Sequence, residues 1–327
     1  MALRRLLGRG GLRHRFSSEI NASARQVLRA NFRPDILYKD LRTRHLPSVP
    51  EVDLYVAGFP CQPFSSAGHR QGFADSQGRG AIFQFLYQYL RAKRPRAFVF
   101  ENVPHLVRTD NGRCFQIIMA ALARLRTYNL YWEILNAEDF GHPQHRPRLF
   151  IVGISRRHDR GDFCFPAAQP RKHLEEFLLP RRGRPSWADS PVVKTASENL
   201  KRCLQRLEQS GVDPFRDCYV VDCDASAERC HVMSNRCPCL LHSRARGYWI
   251  TNRGRYLEVE EMMKLQGFPA SYRRPVSRRI FGELLGNSMC VGVLVPLFEQ
   301  VLSSAGLMQQ QRSSMYVVTL GCEEPRP

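Results

Sequence analysis

Gly58-Phe-Pro-Cys-Gln-Pro-Phe-Ser65 is the stretch of this chain best suited to covalent chemistry. The compact apolar run Asp53–Phe59 ends in Gly and Pro, so a buried strand runs into a loop. Cys61 stands just beyond that strand, between two prolines that stiffen its backbone. A cysteine kept for packing sits more often inside an apolar stripe, as Cys114 and Cys290 do, which makes Cys61 the candidate nucleophile. Glu101-Asn-Val103 follows directly on the apolar run Ala97–Phe100. If the two strands are sheet neighbours, Glu101 lies beside the Cys61 loop, and the pair reads as nucleophile and acid/base partner. The plainer alternative for Glu101 is a helix cap or loop acid. Gln144-His-Arg-Pro-Arg148 leads into the apolar run Leu149–Ile154. On an extended segment Arg146 and Arg148 project to the same side, where two guanidinium groups suit an anion or an activated ring. A pair of surface arginines is the alternative in so basic a chain.

These groups need a scaffold, and the sequence outlines one. Ile82, Phe85, Leu86, Tyr89 and Leu90 fall on one face of a helix over Ala81–Lys93, and Cys114, Ile117, Ile118, Ala121, Leu122 and Leu125 form a second helical stripe. Tyr131–Leu135 and Leu149–Ile154 read as further strands. Alternation of strand and helix predicts an α/β fold with a mostly parallel, doubly wound sheet, whose active groups sit beyond the carboxyl ends of the strands. The expected division is an alternating first domain over 1–162, a smaller irregular domain over 163–252 that lacks the alternation, a return to the first domain over 253–302 and a loose polar tail over 303–327.

The chain has 327 residues, 49 Lys+Arg against 30 Asp+Glu, and a formal net charge of +19. With 43% hydrophobic and 24% charged residues it has a globular composition, and the basic excess points to a polyanion such as nucleic acid. No apolar run reaches the roughly 18 residues of a membrane span. The 11 cysteines are odd in number and scattered, as expected for free thiols in a reducing compartment. Cys218, Cys223, Cys230, Cys237 and Cys239 include no C-x₂-C pair, so no metal site is expected.

Taken in order, Gly-Phe-Pro-Cys-Gln-Pro-Phe-Ser, Glu-Asn-Val, Gln-x-Arg-x-Arg, Leu265-Gln-Gly-Phe-Pro269 and Gly286-Asn-Ser288 resemble the motif series of the DNA (cytosine-5) methyltransferases. The resemblance covers about Leu12 to Leu302. It implies a methyltransferase fold that uses S-adenosylmethionine, with 163–252 as the target recognition domain. Cys61 would attack C6 of a cytosine flipped from duplex DNA, so that C5 can accept a methyl group. Glu101 would hold N3 and the exocyclic amine, while Arg146 and Arg148 would position thiol and base. For the donor, the resemblance implies Glu19 at the ribose hydroxyls, Asp40 at the adenine amine, and Ile20, Leu41, Pro60, Ile82 and Asn287 as further contacts. Arg181-Arg-Gly-Arg184 and Ser243-Arg-Ala-Arg-Gly-Tyr-Trp249 are expected to meet phosphates.

One departure stands out. The family opens with an apolar strand and a Phe-x-Gly-x-Gly turn, whereas Met1 here falls a few residues before the equivalent of the second strand. The expectation is a truncated sequence or a donor pocket open on one side. Competing readings are a catalytically inactive DNA-binding homologue and a tRNA cytosine-5 methyltransferase. A monomer on double-stranded DNA, with no membrane, is expected. The nucleus is the default compartment, with an organelle or bacterial cytoplasm as alternatives.

Overall fold

The computed structural model describes residues 1–8, 10–59, 81–181, 183, 193–308 and 315–320, with the backbone alone for Ala81 and for 315–320. Pro60 and Cys61 lie outside the described residues.

The chain divides into two units. The first comprises residues 1–135, 147–167 and 293–327. Its elements are helix α1 (Ala2–Leu7), strand β1 (Leu12–Ser18), α2 (Ala22–Asn31), β2 (Ile36–Tyr38), β3 (Leu54–Gly58), α3 (Ala81–Lys93), β4 (Ala97–Asn102), α4 (Arg113–Arg124), most of β5 (Tyr128–Asn136) and β6 (Pro147–Ser155). Seven strands form its sheet in the order β2-β1-β11-β3-β4-β6-β5, where β11 is Met315–Leu320. The β2, β1, β11, β3 and β4 pairings are parallel, and β6 runs antiparallel to β4.

β3 is buried along its whole length, as a strand covered on both faces must be, which is why it reads as an unbroken apolar run. Tyr55, Leu86, Tyr89, Leu90, Phe98 and Phe100 belong to one buried cluster, with the Tyr55 and Tyr89 rings stacked at 4.3 Å. Gly153 faces Phe98 across the β4–β6 ladder, and a Cβ there would come within 2.0 Å of the Phe98 ring, so only glycine fits.

The expected tail is a correction. Met315–Leu320 is not loose; it is β11, inside the sheet between β1 and β3. Its Tyr-Val-Val-Thr core is a β-favouring sequence, too short and too far from the other strands to stand out by periodicity.

The second unit comprises 136–146 and 168–292. It is more regular than expected for 163–252. Helix α5 (Lys194–Gln209) buries Ala196, Leu200, Cys203, Leu204 and Leu207 along one face. A four-stranded antiparallel sheet follows in the order β10-β9-β7-β8, from β7 (Tyr219–Val221), β8 (Val232–Ser234), β9 (Trp249–Ile250) and β10 (Arg255–Tyr256). Strands of two or three residues are too short to display alternation, so the sequence hid them. Within this unit the Cys203 and Cys230 sulfurs lie 3.3 Å apart, and their hydrogen bond pulls the Cys203 thiol down to about 7.

The expected return at 253 is later in the structure. Residues 253–292, with α6 (Val259–Leu265) and α7 (Arg278–Asn287), belong to this second unit. Polar and close backbone contacts hold them there. Buried Glu261 receives the Leu179 amide at 2.7 Å and the Arg255 guanidinium at 2.7 and 2.9 Å. Gly282 and Gly286 let α7 approach the 241–245 backbone so closely that a Cβ at either would collide with main-chain atoms. Helix α8 (Val291–Ser304) carries the chain back, with its residues from 293 onward in the first unit. By length and composition 278–304 could cross a membrane, but Leu285, Leu297, Val301 and Leu302 are buried in the protein as in a core helix.

Candidate active site

In the first unit, the parallel register pairs Gly58 of β3 with Glu101 of β4, two residues before Pro60. Glu101 therefore stands level with the end of the strand that the Pro-Cys-Gln sequence follows. Glu101 is ion-paired to Arg148, with Nε to Oε1 at 3.1 Å and both side chains 15% exposed. Register accounts for this meeting, since Glu101 lies opposite Phe150 on antiparallel β6 and Arg148 is two residues along. In a half-buried setting the pair costs some hydration but fixes the direction of the carboxylate.

Next to it, buried Asn102 was not singled out by the sequence. Its Nδ2 donates to the Phe59 carbonyl at 2.8 Å while its Oδ1 accepts from the Val103 amide at 2.8 Å. Asn102 thereby fastens Phe59, the last described residue before the Pro-Cys-Gln sequence, to the strand that carries Glu101. The available signal was an amide residue ending an otherwise apolar strand, which must find partners when buried.

At the other side of the same sheet, Glu19 follows the carboxyl end of β1 and is 5% exposed. Its Oε1 accepts from the Asn21 amide at 2.8 Å, and the Asn21 side chain caps α2 through the Ala24 amide at 2.8 Å. Arg25 donates to the Glu19 carbonyl at 2.9 Å, so turn and carboxylate are fixed together. Ile20 beside it is exposed. Asp40 follows β2, and Arg42 grips its carboxylate through Nε and Nη2 at 2.8–3.1 Å. That hydrogen-bonded guanidinium holds the Asp40 carboxyl below its usual range, so it is an acceptor at neutral pH. Leu41 is buried in the core, and Ile82 packs partly buried against it.

Arg146 and Arg148 fall in different units of the chain. Arg146 belongs to the second unit, 3% exposed. Its Nη1 donates to the Leu240 carbonyl at 2.8 Å, and its Nη2 donates to the carbonyls of Gly286 at 3.0 Å and Ser288 at 2.5 Å. Gln144, fully buried, joins the same arrangement by donating to the Leu265 carbonyl and accepting from the Leu240 amide. The alternation that sends strand side chains to one face starts only with β6 at Pro147, so it does not bind Arg146 to the side of Arg148. Replacing Arg146 by Ala leaves three carbonyls without their donor, and a loss of about 2–4 kcal/mol in urea unfolding is expected. An unchanged midpoint would remove the clamp role. Asn287 is exposed at the end of α7, in the same unit.

Of the basic stretches expected at phosphates, Arg244 turns inward, its Nε 2.7 Å from buried Asp222. Arg246 remains exposed, and Arg184 lies outside the described residues.

Known proteins share this architecture. The crystal structure of the S. pombe Dnmt2 methyltransferase superposes with a TM-score of 0.59 over 88% of this chain and 90% of that one, at 20% identity. The mixed sheet is thus the fold of the S-adenosylmethionine-dependent methyltransferases. In sequence, the chain is 33% identical over 300 residues to the Type II methyltransferase M.NlaX of Neisseria lactamica, covering 91% of each. It is 34% identical over 304 residues to M.NgoBI of Neisseria gonorrhoeae, covering 91% of this chain and 88% of the other. The family model for C-5 cytosine-specific DNA methylases matches residues 3–303. This chain belongs to that family, and its enzyme class is DNA (cytosine-5-)-methyltransferase.

Proposed function

We propose that this protein methylates C5 of cytosine in double-stranded DNA through a transient bond from the Cys61 thiolate to C6 of a base turned out of the helix. The observation that carries the reading is Glu101, level with the end of β3 in the sheet and held by Arg148 at 3.1 Å. Attack by the thiolate at C6 pushes an electron pair onto C5 and into the N3 side of the ring. A carboxyl held at a fixed angle beside the thiol loop can bind N3 and the exocyclic amine and stabilise that charge. Arg148 orients Glu101, and Asn102 secures the approach to Cys61. After methylation of C5 the ring gives up its C5 proton to a base, and the Cys61 sulfur leaves with the C6 electron pair, restoring the aromatic ring.

S-adenosylmethionine, when bound, supplies an electrophilic methyl group. The residues at the other side of the sheet fit it: Glu19 is a buried acid at a strand end, suited to ribose hydroxyls, and ionised Asp40 is an acceptor suited to an amine. Ile20, exposed next to Glu19, offers an apolar surface to the adenine ring. In the second unit we assign Arg146 to positioning, by holding the segments at 240, 286 and 288, and Arg246 to phosphate contact. Both relatives named above are bacterial Type II methyltransferases, which favours a bacterial cytoplasm over a nucleus.

The test is a trapping experiment. With donor and a duplex containing 5-fluorocytosine, the proton-loss step is blocked, and mass spectrometry is expected to find the oligonucleotide on the Cys61 peptide. Folded protein that gives methyl-donor turnover without that adduct would require a different mechanism.

A further inference from the structure

We propose that β11, Met315–Leu320, is the spacer strand of the donor site, and that binding of S-adenosylmethionine depends on it. This rests on the donor reading of Glu19 and Asp40. Among the described residues, β11 is what joins the strands that end at those acids, β1 and β2, to the strands that carry the Cys61 loop and Glu101. Register gives the geometry. Val318 pairs with Phe16 on one side and with Tyr55 on the other, in parallel on both. Glu19 lies three residues beyond Phe16, and Gly58 lies three beyond Tyr55. Gly58 in turn pairs with Glu101. Glu19, Gly58 and Glu101 therefore stand at one level along the carboxyl edge of the sheet, with Glu19 and Gly58 two strand spacings apart, roughly 9.5 Å.

Neither the level nor the spacing survives without β11. Strands β1 and β3 would meet directly, bringing the donor acid one spacing closer to the nucleophile loop, or the sheet would open between them. Opening would expose backbone donors and acceptors of fully buried β3 that have no other partner strand on that side. The side chains of β1 and β3 do touch over the face of the sheet. Phe16 and Tyr55 have ring centroids 6.4 Å apart, and Arg44 donates to the Tyr55 hydroxyl at 3.1 Å while lying 5.5 Å over the Phe16 ring. These contacts cap one face; the ladder itself passes through β11.

A chain ending at Leu307 and a full-length Val318→Pro variant test the proposal, the proline because it removes a ladder donor from a strand paired on both sides. Titration calorimetry with S-adenosylmethionine is expected to show at least tenfold weaker binding for both. A synthetic peptide spanning 313–322 should restore binding to the shortened chain, and a scrambled peptide should not. Donor affinity within twofold of the parent in either variant overturns the spacer role. If the variants do not fold, hydrogen exchange on the intact chain decides: the amides of 315–320 should be protected like those of β3, and exchange within seconds overturns the proposal. An intact chain with protected β11 that binds no donor counts instead against the donor reading of Glu19 and Asp40.

Discussion

Cys61→Ala is expected to abolish methyl transfer, with tritium incorporation from labelled donor falling to background while DNA binding stays within a few-fold. The asymmetry follows from what the thiol contributes. Cytosine C5 is a poor nucleophile until electron density is pushed onto it from C6, and nothing else in the Pro-Cys-Gln loop can form and then release that bond. Binding to duplex DNA, by contrast, draws on a net charge of +19 spread over the chain and on exposed arginines such as Arg246. Equal incorporation by variant and parent would rule out the nucleophile assignment. Serine at the same position keeps size and polarity but not thiolate chemistry, and it should be as inactive as alanine.

Glu101→Gln should slow transfer by roughly 10²–10⁴-fold if the carboxyl works on the reacting ring. The amide keeps the shape of the side chain and one oxygen for Arg148, so the unfolding temperature should barely move. What it loses is the charge that orders Arg148 and the ability to hold N3 in the protonation state that develops on attack. The effect should appear in kcat, with KM for DNA nearly unchanged, and Glu101→Asp should recover little because the shorter carboxylate cannot keep both partners. A near-normal kcat would move the role to another group. A collapse in stability would instead mark the Glu101–Arg148 pair as a structural tie.

Much of the candidate site was legible because its residues stand in short contiguous stretches next to strand ends. The strand at 54–58 and the helix at 81–93 announce themselves by an unbroken apolar run and a clean stripe, and Glu101 is the first polar residue after its own run. The three carbonyls that Arg146 meets were not legible, because spacing on an extended segment governs only residues inside the strand, and β6 begins one position later. Asn102, Gln144 and the Arg244–Asp222 pair were invisible for a common reason. A buried polar side chain is explained by its partner, and those partners lie 43, 121 and 22 residues away. The second unit escaped because its strands are two or three residues long, and its helix α5 sits in a segment without the alternation that marked the first domain.

The place of β11 also sets the order in which this protein can be made. Leu12 and Met315, partners in the sheet, are separated by about three hundred residues of chain. During translation β1 and β3 leave the ribosome long before the strand that links them. Until then a nascent chain carries two strand edges without the partner that pairs them in the folded sheet, the state in which polypeptides recruit chaperones or aggregate. A topology of such long-range pairing folds slowly, so yield on expression should improve at low temperature and with slow synthesis more than composition alone would suggest.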